Sequence, residues 1–106
     1  MTGFDERERA EEAKFAHDEE LRFKARARRD KLLGLWAAGL IGKTGEGAAS
    51  YAAEVLRSDV EAPGDEAVFL KVRGDFEKAG LKLTDHQIHR QMKELMETAI
   101  MQVKAE

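Results

Sequence analysis

The chain has 106 residues, with 18 Lys and Arg against 21 Asp and Glu, no Cys, one Pro and nine Gly. That is one small domain of three to five elements, too short for a multi-domain enzyme and for a deep cleft beside its core. The absence of Cys removes a disulfide scaffold, a thiolate nucleophile and a Cys-type zinc site together, and a formal net charge of -3 provides no basic footprint for duplex nucleic acid.

Residues 1–20 carry eight acids and three bases, and residues 21–31 one acid and six bases. From Asp5 to Lys31 there is no Pro or Gly, and Glu, Ala, Lys and Arg dominate, so helix propensity is high throughout. Apolar content is thin. Phe4 and Phe15, eleven residues apart, fall within about 20° of one another on a helix at about 100° per residue, but that face is otherwise charged or Ala. Burying Phe4, Phe15 and Phe23 is worth at most roughly 1.5–3 kcal/mol each. Fixing about 18 backbones costs roughly 1–2 kcal/mol apiece before helical hydrogen bonds offset it. The spacing therefore predicts an arm, residues 1–19, that is frayed or disordered in isolation, ahead of a packed domain at 20–106. No apolar run marks a signal peptide or a membrane span, so a soluble, intracellular protein in a reducing compartment is expected.

Leu21, Ala25, Leu32, Leu33, Trp36 and Leu40 recur at helical spacing up to Gly42, a C-terminal stop. Gly34 inside this run costs about 1 kcal/mol relative to Ala, which close approach of a neighbouring helix beside Trp36 would compensate. After the turn Gly42-Lys43-Thr44-Gly45, residues 46–59 place Ala48, Ala52, Val55 and Leu56 on one face with Tyr51 at its edge. Ala62-Pro63-Gly64 ends that helix. Residues 65–79 then resume the period through Val68, Phe69, Val72 and Phe76, with Gly80 and Leu81 placed for a Schellman ending against Phe76. Thr84-Asp85-His86-Gln87 is a capping box, with Leu83 able to staple to Ile88, and Ile88, Met92, Leu95, Met96, Ala99 and Val103 form one stripe. No segment reads as a strand. Four helices with short loops predict an all-α four-helix bundle carrying an N-terminal arm.

Gly42-Lys43-Thr44 mimics the end of a phosphate-binding loop, but that motif needs Gly at position 37, where Ala37 stands, and a strand before it. A helix stop and N-cap outweigh weak nucleotide or anion contact by Lys43 and Thr44. His86 and His89, spaced i, i+3, lack further ligands selected by spacing, so exposed first-turn histidines outweigh a metal site. His17, amid charge, would titrate near pH 6.5 as a surface residue. The run Arg22, Lys24, Arg26, Arg28, Arg29 and Lys31 spreads around the helix circumference. A solvated face explains it better than an acidic protein partner, and nucleic acid comes last because Trp36, Tyr51 and the Phe residues form no series of stacking platforms among the bases. No nucleophile and base are paired, and arm carboxylates in water keep ordinary acidity. The chain is expected to be no enzyme and to hold no cofactor or metal.

Phe4-Asp5-Glu6-Arg7-Glu8-Arg9-Ala10, then Glu12-Ala13-Lys14-Phe15-Ala16-His17-Asp18, Phe23-Lys24, and Ala27-Arg28-Arg29 leading into Lys31-Leu32-Leu33-Gly34-Leu35-Trp36-Ala37-Ala38 resemble the zeta subunit, the ATPase inhibitor of the alphaproteobacterial F-type ATP synthase. The resemblance extends over the length through Gly42-Lys43 and Ala79-Gly80. It implies a four-helix domain whose N-terminal segment becomes helical on entering the enzyme's catalytic head. There it would lodge at an alpha/beta interface near the central stalk and block ATP hydrolysis.

The partner-binding residues so implied are Phe4, Asp5, Arg7, Glu8, Lys14, Phe15, Ala16, His17 and Asp18, to which charge along the arm adds Arg9 and Glu12. The implied partners are the alpha, beta and gamma subunits, with no nucleic acid and no membrane insertion. The free protein would be a monomer, and the bound one cytoplasmic and peripheral to the inner membrane. Weak adenine nucleotide binding is a minor further implication. Gly39 stands where relatives are expected to carry an acid, and would loosen the end of the first helix.

Two other readings are a helical adaptor or oligomerisation module and a small nucleotide- or metal-dependent enzyme or sensor. The arm lacks the a/d heptads that the first needs, and the second has only the Gly-Lys-Thr turn and the two histidines.

Overall fold

The computed structural model describes residues 18–106, which form four α-helices and, among the described residues, no strand: α1 (Glu19–Ile41), α2 (Gly45–Glu61), α3 (Asp65–Lys78) and α4 (Asp85–Ala105). The arm residues from Phe4 to His17 lie outside the described residues; Asp18 is the first inside them.

Helix boundaries follow local chemistry. The Asp18 side chain accepts from the Leu21 N–H at 3.1 Å, and Glu19 and Glu20 in the first turn suit the positive end of the helix. At the other end Gly42 takes a φ of 96°, and Lys43 N–H donates to Ala38 C=O at 2.8 Å. Gly39 does not loosen this end: α1 runs on to Ile41, and the Gly39 carbonyl accepts from Gly42 N–H. The two Schellman bonds of this ending, from Lys43 N–H to Ala38 C=O and from Gly42 N–H to Gly39 C=O, outweigh the modest propensity cost of one exposed glycine. Thr44 occupies the N-cap of α2 without a side-chain hydrogen bond. α3 closes as the spacing predicts, with Leu81 N–H donating to Phe76 C=O at 2.9 Å and Gly80 at a φ of 75°. The α4 box is complete: Gln87 N–H donates to Thr84 Oγ1 at 3.1 Å, and Thr84 N–H donates to Gln87 Oε1 at 2.8 Å.

α1 is the central element, packing chiefly on α2 and α4, while α3 leans on α2 and closes the remaining side. The main core joins Leu33, Ala37 and Ala38 of α1 to Val55 of α2, Val68, Phe69, Val72 and Phe76 of α3, and Ile88 and Met92 of α4. Trp36 meets Phe76 edge-on, ring centroids 5.6 Å apart. A smaller cluster at the arm end joins Ala25 to Val103, flanked by Leu21, Met96 and Ile100. Gly34 is where α1 and α2 touch backbone to backbone, against Ala52. Tyr51, expected at an edge, is buried, because its ring enters the core while its hydroxyl donates to Asp75 Oδ2 at 2.8 Å. No described helix is long and apolar enough to cross a membrane.

Candidate functional site

The end of the bundle from which the arm departs is built from the first half of α1. Asp18, which the resemblance assigns to the inhibitory segment, is exposed and is also the side chain that starts α1. The base run behind it divides. Arg22, Lys24 and Lys31 are exposed, Lys24 pairing with Glu20 at 3.5 Å. Arg26 pairs with Asp59 of α2, and Arg28 donates to Gln102 Oε1 at 3.0 Å and pairs with Glu106 beyond α4.

Arg29 corrects the reading of the run as a solvated face or a partner surface: it is 1% exposed. Its Nε donates to Asp30 Oδ1 at 2.8 Å and its Nη2 to Asp65 Oδ1 at 2.9 Å. Burial works against the guanidinium charge, but the hydrogen bonds it donates to Asp65 and Asp30 prevail and hold its pKa above the ordinary value. Three of the six bases thus tie α1 to α2, α3 and the chain end, where they hold the helix that carries the arm.

Asp30 is wholly buried, and as an ionised carboxylate its Oδ2 would find no donor among the described residues. Burial pushes its pKa up to about 7, and a hydrogen bond to Asp59 reinforces the rise against the pull of Arg29. Asp59 goes the other way: burial would raise it, but the hydrogen bond from Asp30, the Gly64 N–H at 3.2 Å and Arg26 hold it below the ordinary carboxylate value. A proton on Asp30 shared with an ionised Asp59 satisfies both groups. The sequence did hold a signal for this pair. Arg29 and Asp30 lie between Ala25 and Leu33 on the inward face of α1, where a charged residue must be matched from a neighbouring helix.

Lys43 and Thr44 are exposed. Lys43 borders a cavity of about 300 Å³ with Tyr51, Glu54, Lys71, Asp75 and Lys78; Thr44 is not in its wall. Lys71 is already held there by Glu54 Oε1 at 3.1 Å and Asp75 Oδ2 at 2.9 Å, so carboxylates offset the positive charge an anion would seek. His86 and His89 are exposed, and the His89 ring stacks on Phe69 at a centroid distance of 4.0 Å. No group of three or more His, Asp or Glu able to hold a metal exists among the described residues.

The profile of the family described as ATPase inhibitor subunit zeta matches residues 1–102, arm and bundle together. The chain belongs to that family. Membership gives this zeta-family chain an inhibitory role toward ATP synthase and so an interaction with that enzyme. The fold agrees with a solved relative: a solution NMR structure, 40% identical, superposes with a TM-score of 0.71 and covers 80% of this chain and 96% of that one. No curated protein matches significantly.

Proposed function

We propose that the chain blocks ATP hydrolysis by the F-type ATP synthase by inserting residues 1–19 as a helix at an alpha/beta interface of the catalytic head, near the gamma subunit of the central stalk. The observation that carries this reading is the family match over residues 1–102, joined to a leading segment with high helix propensity and only two aromatic residues, Phe4 and Phe15, before His17. Such a segment gains structure where a partner supplies the missing apolar surface. Phe4 and Phe15 anchor it in apolar pockets. Arg7, Arg9 and Lys14 meet acidic side chains, while Asp5, Glu8 and Glu12 meet basic ones, with Ala16 and His17 completing the contact face. The bundle at 20–106 stays outside as a stop. A wedge among subunits that must change shape in turn raises the cost of that motion without doing chemistry.

The test is titration of the catalytic head while ATP hydrolysis is followed. Full-length protein should inhibit, and a variant lacking residues 2–17 should not; Asp18 is kept because it caps α1. Full inhibition by the truncated protein would overturn the arm mechanism. Phe15→Ala should weaken inhibition with little change in thermal unfolding; a large drop in stability would instead make Phe15 part of the core.

A further inference from the structure

Where α1 passes the corner between α2 and α3, two carboxyls and a guanidinium are buried together: Arg29 and Asp30 from the middle of α1, and Asp59 from the last turn of α2. The connection 62–64 then brings Asp65, the first residue of α3, to Arg29 Nη2 at 2.9 Å. Arg26, one turn earlier on α1 and half-buried, reaches Asp59 from the solvent side. These charges do not balance. The buried groups alone set two carboxyls against one guanidinium, and with Arg26 and the exposed Asp65 the count is three against two. Either count leaves one acid in excess, and a buried site without net charge then needs one bound proton.

The donors decide which carboxyl holds it. Asp59 already accepts from Arg26 and from Gly64 N–H at 3.2 Å. Asp30 accepts only from Arg29, at Oδ1, and its Oδ2 meets no donor among the described residues. Protonated Oδ2 becomes a donor, and Asp59 supplies the acceptor. Groups on α4 do not restore the balance: His89, Lys93 and Glu97 border a hollow of about 300 Å³ with Arg29 and Asp65, and neither Asp30 nor Asp59 is in its wall.

Loss of the proton would set two ionised carboxylates side by side. Asp30 has nowhere to go, because it lies midway along the helix that packs on both α2 and α4. Asp59 can move: it stands two residues from the end of α2, followed by exposed Val60 and Glu61 and the three-residue connection. We propose that Asp30 and Asp59 form a proton-operated latch, in which a proton between their carboxyls holds the α2–α3 corner, residues 59–65, against α1, and its loss lets that corner open while the rest of the bundle stays folded. The latch goes beyond the inhibitor reading and does not depend on it. The same corner walls a hollow of about 280 Å³ in which Val60 and Pro63 face Phe23 and Ala27 of α1, so the latch shapes the bundle surface just over one turn from Asp18. Burial sets Asp30 to release its proton near neutral pH, at about 7, whereas in an opened corner it would do so near its ordinary 3.8. Opening therefore grows as pH rises between those values, by up to about tenfold per pH unit.

The test uses the full chain between about pH 5 and pH 8. Carboxyl ¹³C shifts read the proton: one Asp should titrate near neutrality, and its signal should vanish in Asp30→Asn. Amide exchange, corrected for the intrinsic rate, reads the corner through Gly64 N–H, which donates to Asp59 Oδ1, and Ala62 N–H, which donates to Ser58 C=O. Both should exchange up to about tenfold faster per pH unit until about pH 7, with a much smaller urea dependence than Met92 N–H because a local opening exposes little surface. An Asp30 midpoint below about pH 5, or corner exchange without that rise, overturns the proposal. A urea dependence equal to that of Met92 overturns it in favour of global unfolding. Asp59→Asn removes the excess acid, so the Asp30 midpoint should fall by more than about one pH unit and the pH response of the corner should disappear; a midpoint left near neutrality overturns the proposal. His86→Gln combined with His89→Gln should leave both readings as in wild type, and loss of the response there overturns the proposal in favour of histidine.

Discussion

A methyl group placed on Gly34 of α1 would stand 2.5 Å from the Ala52 Cα of α2. Both partners are helix backbone, which has no rotamer to yield. Gly34→Ala gains roughly 1 kcal/mol in helix propensity, but forcing the helices apart along their longest contact costs more, typically 1–3 kcal/mol for overpacking and beyond that where backbone must move. The expected result is a lower unfolding temperature. Gly74→Ala in α3 is the control: nothing lies within 4 Å of its added methyl, so it should stabilise the protein by about 0.5–1 kcal/mol. Thermal unfolding of the two variants beside wild type gives opposite signs.

Asp30 gives the fold a pH dependence whose direction follows from its surroundings. Its folded pKa, about 7, lies above the ordinary 3.8, so the folded state binds more protons than the unfolded one between those values. Stability from this group is full below about pH 4 and is lost as pH rises toward 7, with a slope of up to about 1.4 kcal/mol per pH unit. Asp59, held below its ordinary value, acts the opposite way and only at lower pH, because its contribution is present above 3.8 and is lost as pH falls. Asp30→Asn keeps an acceptor for Arg29 and supplies a permanent donor toward Asp59. Urea unfolding at pH 5 and pH 8 should therefore show the wild type weaker at pH 8 and the difference much reduced in Asp30→Asn.

The bundle was legible in the sequence where a single local signal decides an element. The capping box at Thr84, the stop at Gly80 and the stripe Val68, Phe69, Val72 and Phe76 are all local, and all stand in the structure as read. Gly34 was legible too, since a glycine inside a good helix needs a reason, and helix contact is the usual one. Arg29 and Tyr51 were misplaced for a common cause. Each is polar at one end, and its burial depends on acids that α3 brings in from 24 to 36 residues away, Asp65 for Arg29 and Asp75 for Tyr51. Composition and period score such residues one at a time, whereas their burial is a property of pairs.

Tyr51 makes that pairing measurable. Its hydroxyl donates to Asp75 Oδ2 at 2.8 Å, and Lys71 Nζ sits 5.2 Å from its ring centroid. Burial first, and then the Asp75 carboxylate, push its pKa upward, so the phenol keeps its proton at neutral pH. Tyr51→Phe keeps the ring in the core and removes a hydrogen bond to a charged acceptor. The expected loss is about 1.5–3 kcal/mol, read by denaturant unfolding. In the Asp75→Asn background the loss should shrink, because the acceptor is then neutral.

Asp18 stands at the boundary between the bundle and the inhibitory segment, and two substitutions separate its roles. Asp18→Ala removes the acceptor for Leu21 N–H and should cost about 1 kcal/mol, with the first turn of α1 exchanging its amide protons faster. Asp18→Asn retains a capping oxygen and gives up only the charge at the helix N-terminus, worth about 0.3–1 kcal/mol at an exposed site, so its unfolding should stay closer to wild type. If Asp18 also meets a basic group of the enzyme, Asp18→Asn should weaken inhibition of ATP hydrolysis although the cap survives. Equal inhibition by Asp18→Asn and wild type would confine Asp18 to the start of the helix and end the enzyme-contacting segment at His17.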